Sequence, residues 1–369
     1  MYLCRQQKHW QMKYEAKIEE RLLHFKQPAG TSRGVYTTRQ IWLIYLSDGE
    51  RTGVGECAPL PDLSCDALPN YGEILNNVCR DFCETGEIDY EALRPYPSML
   101  FGLETAVLAL RQTLRQAQGS QAVGELVEPQ QAPILFDTAF SRGEVGIPIN
   151  GLVWMGNYDE MLQRMEEKLE KGFRCVKLKI GAIDFDQELD LVKRIRERFS
   201  FHEVELRVDA NGAFPFDEAL YKLELLSQYA IHSIEQPIKA GQWGYMAELC
   251  RESPLPIALD EELIGVNDPE MKAHMLNIIK PRYIILKPSL HGGMQGCREW
   301  ISIARDMGIG SWITSALESN IGLNAIAQFA SDVYGDDIRM PQGLGTGQLF
   351  MDNIPMPLEI RGDKLWRSE

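Results

Sequence analysis

The pattern of apolar and polar positions changes near Ile147, where short apolar runs begin to alternate with amphipathic stretches. The runs predict strands at 147–153, 174–180, 203–208, 233–235, 257–259, 283–286 and 310–314. Stretches between them, such as 158–171, 186–199, 216–229 and 293–307, have helical periodicity. Six or seven such units predict parallel strands joined by crossover helices. A closed barrel and an open doubly wound sheet both fit, although no GxGxxG follows the first strand to favour dinucleotide binding.

The first hundred residues predict a separate α+β unit. Strand-like runs cover 13–25, 37–47 and 52–57, and the last two flank Asp48-Gly49-Glu50-Arg51, which is typical of a hairpin turn. A loop rich in Gly and Pro at 53–61 and helical stretches at 71–83 and 99–116 follow. The Gln-rich stretch 115–132 has little core-forming pattern, so we interpret it as a surface insertion or connector.

Composition narrows the class of protein and of partner. The 369 residues are 44% hydrophobic and 25% charged, which excludes disordered and fibrous classes and suggests two domains or one large barrel with an appendage. A formal net charge of −15 argues against binding to nucleic acid or to an anionic membrane, but not against an anionic small molecule. Eight cysteines without a CxxC pair, and no signal peptide, lead us to expect a reduced, cytoplasmic protein.

Charged residues end five consecutive predicted strands of the alternating region. They are Lys179, Asp209, Glu235, Asp260 and Lys287, which lie 30, 26, 25 and 27 residues apart. In a closed barrel these strand ends would meet at the C-terminal rim, where active sites are built. A lone Asp after a strand is more often a helix cap, and a lone Glu or Lys a solvated rim residue. Five coincidences at one periodicity nevertheless favour a functional site.

The residue types at this rim indicate a metal and a base. Three carboxylates suit a hard divalent cation such as Mg²⁺, whereas the absence of His and Cys disfavours Zn²⁺. Asn211 follows the first Asp and could orient its carboxylate. Lys177 and Lys179 lie on one face of their strand, and their repulsion, on the order of 2 kcal/mol, favours the neutral amine that a general base requires.

These motifs together resemble a known family. The segments 177–179, 208–212, 234–237, 259–262 and 286–289 resemble the muconate-lactonizing subgroup of the enolase superfamily, and 53–59 resembles its capping-domain loop. Arg207 and the segments 315–319 and 343–346 are similar to those of the o-succinylbenzoate synthases within that subgroup. The resemblance implies a modified (β/α)7β TIM-type barrel with an N-terminal α+β capping domain. We therefore expect the capping domain at 1–132, the barrel at 145–342 and a segment at 343–369 that completes the barrel and returns to the capping domain.

The resemblance also implies an activity and a role for each residue. The reaction would be the dehydration of 2-succinyl-6-hydroxy-2,4-cyclohexadiene-1-carboxylate to 2-succinylbenzoate in menaquinone biosynthesis. Asp209, Glu235 and Asp260 would hold Mg²⁺, with Mn²⁺ left open. Lys179 would abstract the proton α to the metal-bound carboxylate, and Lys287 would stabilise the enediolate from the opposite face. The supporting residues would be Lys177 and Asn211, and the substrate-binding residues Arg207, Ser315 and Gly343.

Alternatives remain at this point. A dipeptide or N-acylamino-acid epimerase would keep both lysines, but the Asp-x-Asp that it usually carries is replaced here by the sequence of 315–319. A muconate cycloisomerase is disfavoured by the same loop, and a non-catalytic barrel reused for binding has no support. Residues 26–36 form either a mobile lid or an ordinary Gly/Pro loop. Oligomeric state is left open.

Overall fold

The structure is a computed structural model that describes residues 14–31, 34–117 and 132–368. Most of the predicted Gln-rich insertion, from residue 118 to 131, lies outside the described residues. Within the described residues, no helix has the length and apolar character needed to cross a membrane.

The N-terminal part is an antiparallel sheet covered by helices. Its elements are β1 (Glu15–Thr31), β2 (Gly34–Ser47), β3 (Thr52–Cys57), α1 (Tyr71–Thr85), α2 (Tyr90–Leu93) and α3 (Pro97–Ala117), with strand order β1-β2-β3. The predicted hairpin is confirmed, because Ser47 pairs with Thr52 and the Asp48 carboxylate accepts the backbone N–H groups of Glu50 and Arg51. The predicted strand at 52–57 is confirmed as β3, so the Gly- and Pro-rich stretch predicted as a loop at 53–61 is a loop only after Cys57.

Glycine allows β3 to lie directly against the backbone of α3. A Cβ atom on Gly55 would stand 1.8 Å from the carbonyl oxygen of Gly102, and one on Gly53 would stand 2.1 Å from that of Ala106. No residue larger than glycine fits at either position without separating the strand from the helix. The backbone of Glu56, the next-to-last residue of the strand, also lies close to Gly102 of the helix.

The second part is a parallel barrel with helices outside it. Its elements are β4 (Ile147–Pro148), β5 (Gly151–Val153), α4 (Tyr158–Glu170), β6 (Cys175–Lys179), α5 (Phe185–Arg198), β7 (Glu205–Asp209), α6 (Phe216–Ser227), β8 (Ser233–Glu235), α7 (Trp243–Glu252), β9 (Ile257–Leu259), α8 (Pro269–Ile279), β10 (Tyr283–Leu286), α9 (Gly293–Asp306), β11 (Gly310–Ile313), α10 (Asn320–Tyr334), β12 (Leu358–Arg361) and β13 (Lys364–Arg367). Strands β5 to β11 pair in sequence order, each parallel to the next.

A short segment occupies the eighth position of the curled sheet. Gln342 bridges to Ile149 beside β5, and Gly343 bridges to Thr314 beside β11. The backbone N–H of Gly343 donates to Ile313 at 2.9 Å, and the carbonyl of Gln342 accepts from Asn150 at 3.0 Å. These bonds favour the barrel over the open sheet and confirm the predicted (β/α)7β architecture with an N-terminal α+β unit.

One predicted strand divides into two. We expected 147–153 to be a single strand of the barrel, but β4 belongs to a separate sheet of order β12-β13-β4 and only β5 joins the barrel. Leu365 and Lys364 supply the partners of β4 from the far end of the chain. The separation of more than 200 residues between these partners hides the pairing from local sequence patterns.

Side chains of the barrel strands alternate between the helical layer and the interior. Val176 and Leu178 of β6 are fully buried against the helices, and each such burial contributes roughly 1.5–3 kcal/mol. The interior holds an apolar cluster of Ala258, Ile285 and Trp312. Polar groups are left at the C-terminal ends of the strands, above this cluster, where the candidate site lies.

Candidate active site

The register of the parallel strands brings the charged strand ends to one level. Lys179 pairs with Asp209, and Asp209 pairs with Glu235, across β6, β7 and β8. Asp260 and Lys287 directly follow β9 and β10. Because β6 and β10 are four positions apart in an eight-position ring, Lys179 and Lys287 stand on opposite sides of the barrel mouth. The predicted rim residues are therefore brought together.

The local alternatives for these residues do not fit their surroundings. Asp209, Glu235 and Asp260 are 0%, 2% and 0% exposed, so none is a solvated loop acid. The Asp260 side chain makes no capping hydrogen bond to the short helical turn that follows it. One oxygen of Asp209 accepts the backbone N–H of Asn211 at 3.0 Å, as in a turn, but its other oxygen faces the lysines.

The two lysines of β6 share one carboxylate oxygen. Lys177 donates to Oδ2 of Asp209 at 3.1 Å and to Glu235 at 2.7 Å, while Lys179 donates to the same Oδ2 at 3.0 Å and to Asn211 at 2.7 Å. Lys179 also stands 5.9 Å from the centre of the Trp154 ring. The predicted placement of both ammonium groups on one face is confirmed by these contacts.

Lys287 is held from two directions. Its ammonium donates to Oδ2 of Asp260, and its backbone N–H donates to Nδ1 of His291 at 2.9 Å. Burial lowers the pKa of His291 to about 3, so the imidazole is neutral at physiological pH and accepts this bond without adding charge beside the lysine.

Sequence reasoning predicted a supporting role for Asn211 but assigned none to Gln236. Gln236 is fully buried, and its side-chain oxygen accepts the backbone N–H groups of Asp260 and Glu262, each at 3.2 Å. The Asn211 amide donates to Glu261 at 3.0 Å and so is fixed while it accepts from Lys179. The only sequence signal for this role was an amide residue directly beside a predicted metal ligand, as Gln236 is beside Glu235.

Burial and charge act in opposite directions on the carboxylates. Burial acts to raise the pKa of Asp209, but the cations of Lys177 and Lys179 outweigh it and hold the pKa well below its ordinary range. Burial also acts to raise the pKa of Asp260, but the cation of Lys287 outweighs it, so this pKa is lowered too. Burial and the neighbouring Asp209 raise the pKa of Glu235 well above its ordinary value. Negative charge is therefore crowded at this rim.

The donor set fits a divalent cation. Oε1 of Glu235 and Oδ1 of Asp260 are buried oxygens that accept no hydrogen bond from the protein. The ammonium groups of Lys177, Lys179 and Lys287 lie against the carboxylates. With the side chains in these positions, no three acidic, His or Cys side chains of the described ranges form a ready metal cage. Three clustered carboxylates with two free buried oxygens are nevertheless the ligand type that Mg²⁺ prefers.

A cavity of about 630 Å³ opens above the rim. Lys179, Asp209 and Lys287 form part of its floor, while residues from both parts of the chain form its walls. Ser315 and Gly343, predicted to bind substrate, both line it, and the Ser315 hydroxyl lies 2.6 Å from that of Thr346. The segment 26–36, predicted to be either a lid or a loop, contributes Lys26, Gln27, Pro28, Ala29 and Tyr36 to the cavity from strands β1 and β2, whereas residues 32 and 33 lie outside the described residues.

Arg207 is not among the residues that line this cavity. Its guanidinium is buried inside the barrel, bonded to Glu205 at 2.7 Å and to the carbonyl of Pro341 at 2.9 Å. It stands 4.3 Å from the centre of the Trp312 ring. These contacts give Arg207 a role in packing the barrel interior and do not support the predicted substrate contact.

Known proteins share this architecture. Residues 160–347 match the enolase C-terminal domain-like family and residues 30–110 match the MenC N-terminal domain. The o-succinylbenzoate synthase of Desulfotalea psychrophila is 44% identical over 93% of this chain and 96% of its own. The crystal structure of MenC from the same organism has a TM-score of 0.79 at 39% identity, covering 96% of this chain and 99% of that one.

More distant structures share the fold alone. A dipeptide epimerase from Enterococcus faecalis, crystallised with Mg and the dipeptide L-Leu-L-Tyr, has a TM-score of 0.80. Its sequence is 17% identical, over 97% of this chain and 98% of its own. At this identity the similarity carries no information on which substrate the present chain accepts.

Proposed function

The chain belongs to the o-succinylbenzoate synthase family of the enolase superfamily, and from this premise we propose how its rim residues act. The reaction is a dehydration that converts 2-succinyl-6-hydroxy-2,4-cyclohexadiene-1-carboxylate to 2-succinylbenzoate in menaquinone biosynthesis, which makes the protein a hydro-lyase. The observation that carries the assignment of roles is the placement of two lysines on opposite sides of a carboxylate cluster, under one cavity. The domain bounds expected from the sequence are part of this proposal.

Lys179 is the base. In its neutral form its Nζ removes the proton from the ring carbon that bears the carboxylate, and that C–H electron pair becomes part of the aromatic ring as the C–O bond breaks. The ammonium that results gives its proton to the departing hydroxide, which leaves as water. Asn211 and Asp209 hold the Nζ in place, while the Trp154 ring lies beside it.

Lys287 stays protonated and stabilises charge. Burial acts to lower the pKa of Lys287, but the nearby carboxylates of Asp260 and Glu235 outweigh it and raise the pKa. Negative charge that develops on the substrate carboxylate meets this cation on the face opposite Lys179. Neutral His291 fixes the backbone of Lys287.

Asp209, Glu235 and Asp260 would hold Mg²⁺ or Mn²⁺. When bound, the metal supplies positive charge beside the substrate carboxylate and so eases loss of the adjacent proton. Lys177, which contacts two of these acids, balances their charge from the barrel interior. Ser315, Thr346 and Gly343 form the wall that we assign to the succinyl group, and we assign residues 26–29 and Tyr36 to the cover of the cavity.

The deciding experiment follows loss of the cyclohexadiene absorbance, with Mg²⁺ and with a chelator. We expect turnover that requires the metal, because the metal would supply the positive charge beside the substrate carboxylate that eases loss of the adjacent proton. The same preparation is incubated with L-Ala-L-Glu in deuterated water. Deuterium exchange and epimerisation of the dipeptide, without dehydratase turnover, would replace this proposal with the epimerase function. Cytoplasmic location stays a prediction, and oligomeric state is left open.

A further inference from the structure

Arg39 joins two loops that both border the cavity. It lies on β2, is 2% exposed, and donates to the carbonyls of Ala58 and Pro59, the latter at 2.5 Å. It also donates to the carbonyl of Leu317 at 3.1 Å and to that of Ala316 at 3.4 Å. One guanidinium thus connects the N-terminal part of the chain with the loop that follows β11.

Both loops contribute walls to the cavity. Leu60 and Pro61 directly follow the first pair of carbonyls and line it, as do Ser315, Ala316 and Leu317 in the second loop. A planar fork with five donors can hold four carbonyls in a fixed arrangement, which a lysine cannot do. The relative position of these walls is therefore set by a residue that does not itself line the cavity.

The loop after β11 adopts a conformation that needs such support. Leu317 has a φ of +64°, in the left-handed region that costs a residue with a Cβ roughly 1–2 kcal/mol. Its side chain packs in an apolar cluster with Ile41 and Leu43 of β2. Arg39 accordingly binds the carbonyl of the strained residue while its own strand packs against the side chain.

A buried acid, Glu56, binds the other end of the loop that follows β11. Glu56 is fully buried and accepts from the backbone N–H of Ser319 at 2.7 Å, from the Ser319 hydroxyl, and from the backbone N–H of Gly322 at 2.8 Å. These groups begin α10, so a carboxylate from β3 binds the helix N-terminus. The loop is held from the N-terminal part of the chain at both ends.

We infer that Arg39 is a positioning residue of the dehydration, which fixes the loop 315–319 against the N-terminal sheet and so shapes the wall that receives the succinyl group. The inference rests on the proposed function for its substrate. Arg39 acts through the backbone carbonyls that it binds and does not itself contact the substrate. Glu56 serves the same loop from the helix side.

The test compares Arg39→Met and Arg39→Lys with Arg94→Met. Arg94 is a matched control because it too joins the N-terminal part to the barrel, through the Asn267 carbonyl and Glu299, but neither of these partners lines the cavity. Loss of these buried hydrogen bonds frees the loop that forms the wall, and we expect a KM raised by about tenfold in Arg39→Met, with a smaller change in kcat. Arg39→Lys should fall between it and the wild type.

Hydrogen exchange gives a readout that does not depend on turnover. Amides of 315–319 should exchange faster in both Arg39 variants than in Arg94→Met at equal thermal stability. Equal KM values and equal exchange in the Arg39 and Arg94 variants would overturn the inference. Failure of the wild type to dehydrate the substrate would instead refute the proposed function, and the exchange result would still decide whether Arg39 holds the loop.

Discussion

The ammonium of Lys179 donates a hydrogen bond to the side-chain oxygen of Asn211, 2.7 Å away. The amide nitrogen of Asn211 is in turn bound to Glu261 at 3.0 Å, so the acceptor oxygen cannot rotate away from the lysine. Asn211 has a φ of +45°, a value that asparagine tolerates better than most residues. A strained turn after β7 thus aims one oxygen at the proposed base.

Replacing that base should remove turnover without unfolding the protein. Lys179→Ala is expected to lower kcat by a factor of about 10³, within the usual contribution of a general base, because Lys287 is on the wrong side of the cavity to replace it. Steady-state kinetics and a thermal melt measure the two effects. Lys193→Ala, which changes an exposed lysine on α5, is the control. Full activity in Lys179→Ala would show that another group removes the proton.

Metal binding should be visible as stabilisation. Mg²⁺ is expected to raise the melting temperature of the wild type by a few degrees, since a ligand at 100 times its Kd stabilises by about 2.7 kcal/mol. Glu235→Gln should lose most of this increase, because it removes one of the three carboxylates that would hold the ion. Glu188→Gln alters a buried acid elsewhere, which binds the backbone N–H of Gly181, and should keep it. An undiminished Mg²⁺ effect in Glu235→Gln would exclude that residue as a ligand.

The rim was predictable because strand register is regular. Consecutive parallel strands place their final residues at one level. The spacing of charged residues along the chain was therefore enough to predict that Lys179, Asp209 and Glu235 lie together. The substrate role predicted for Arg207 came from the family resemblance and stays a prediction; its side chain shares a face with Asp209 but lies one layer deeper, against Trp312. Nothing near Arg207 in sequence indicates that ring, which comes from a strand about 100 residues later.

Other elements depend on partners too distant for any local pattern. The division of the predicted strand 147–153 follows from pairing with β13. The roles of Arg39 and Gln236 follow from which carbonyls and amides the finished fold brings to them. Periodicity predicts which face of an element is buried, but not which polar group on another element meets a buried side chain.

Packing of β3 on α3 gives a stability prediction. Gly55→Ala would place a methyl group 1.8 Å from the carbonyl oxygen of Gly102, so it should cost about 3 kcal/mol or more of unfolding free energy. Gly244→Ala on α7 meets no atom within 4 Å and should leave stability unchanged or slightly higher. Urea denaturation of both variants measures the difference. A stable Gly55→Ala protein would mean that the strand and the helix can separate at little cost.

His291 gives a prediction for pH. Its pKa is about 3 when folded, because burial opposes the charged imidazole, against 6.5 for the ordinary side chain. Below pH 6.5 this imidazole therefore binds a proton in the unfolded chain but not in the folded chain. The free energy of unfolding falls as the pH decreases towards 3. The contribution of this one group changes by about 1.4 kcal/mol per pH unit in that window and is constant above it.

The His291→Asn variant isolates the contribution of this imidazole to the free energy of unfolding. Asparagine can offer an oxygen to the backbone N–H of Lys287, but it does not titrate. The stability difference between wild type and variant is measured by urea denaturation from pH 7.5 to pH 5. It should shrink as the solution is acidified, because only the wild type has an imidazole that is protonated in the unfolded chain and neutral in the folded chain. Parallel stability curves for the two proteins would mean that the imidazole takes up its proton without leaving its position. Lys287 would then have a second cation beside it in acid, contrary to the charge balance proposed for that face of the site.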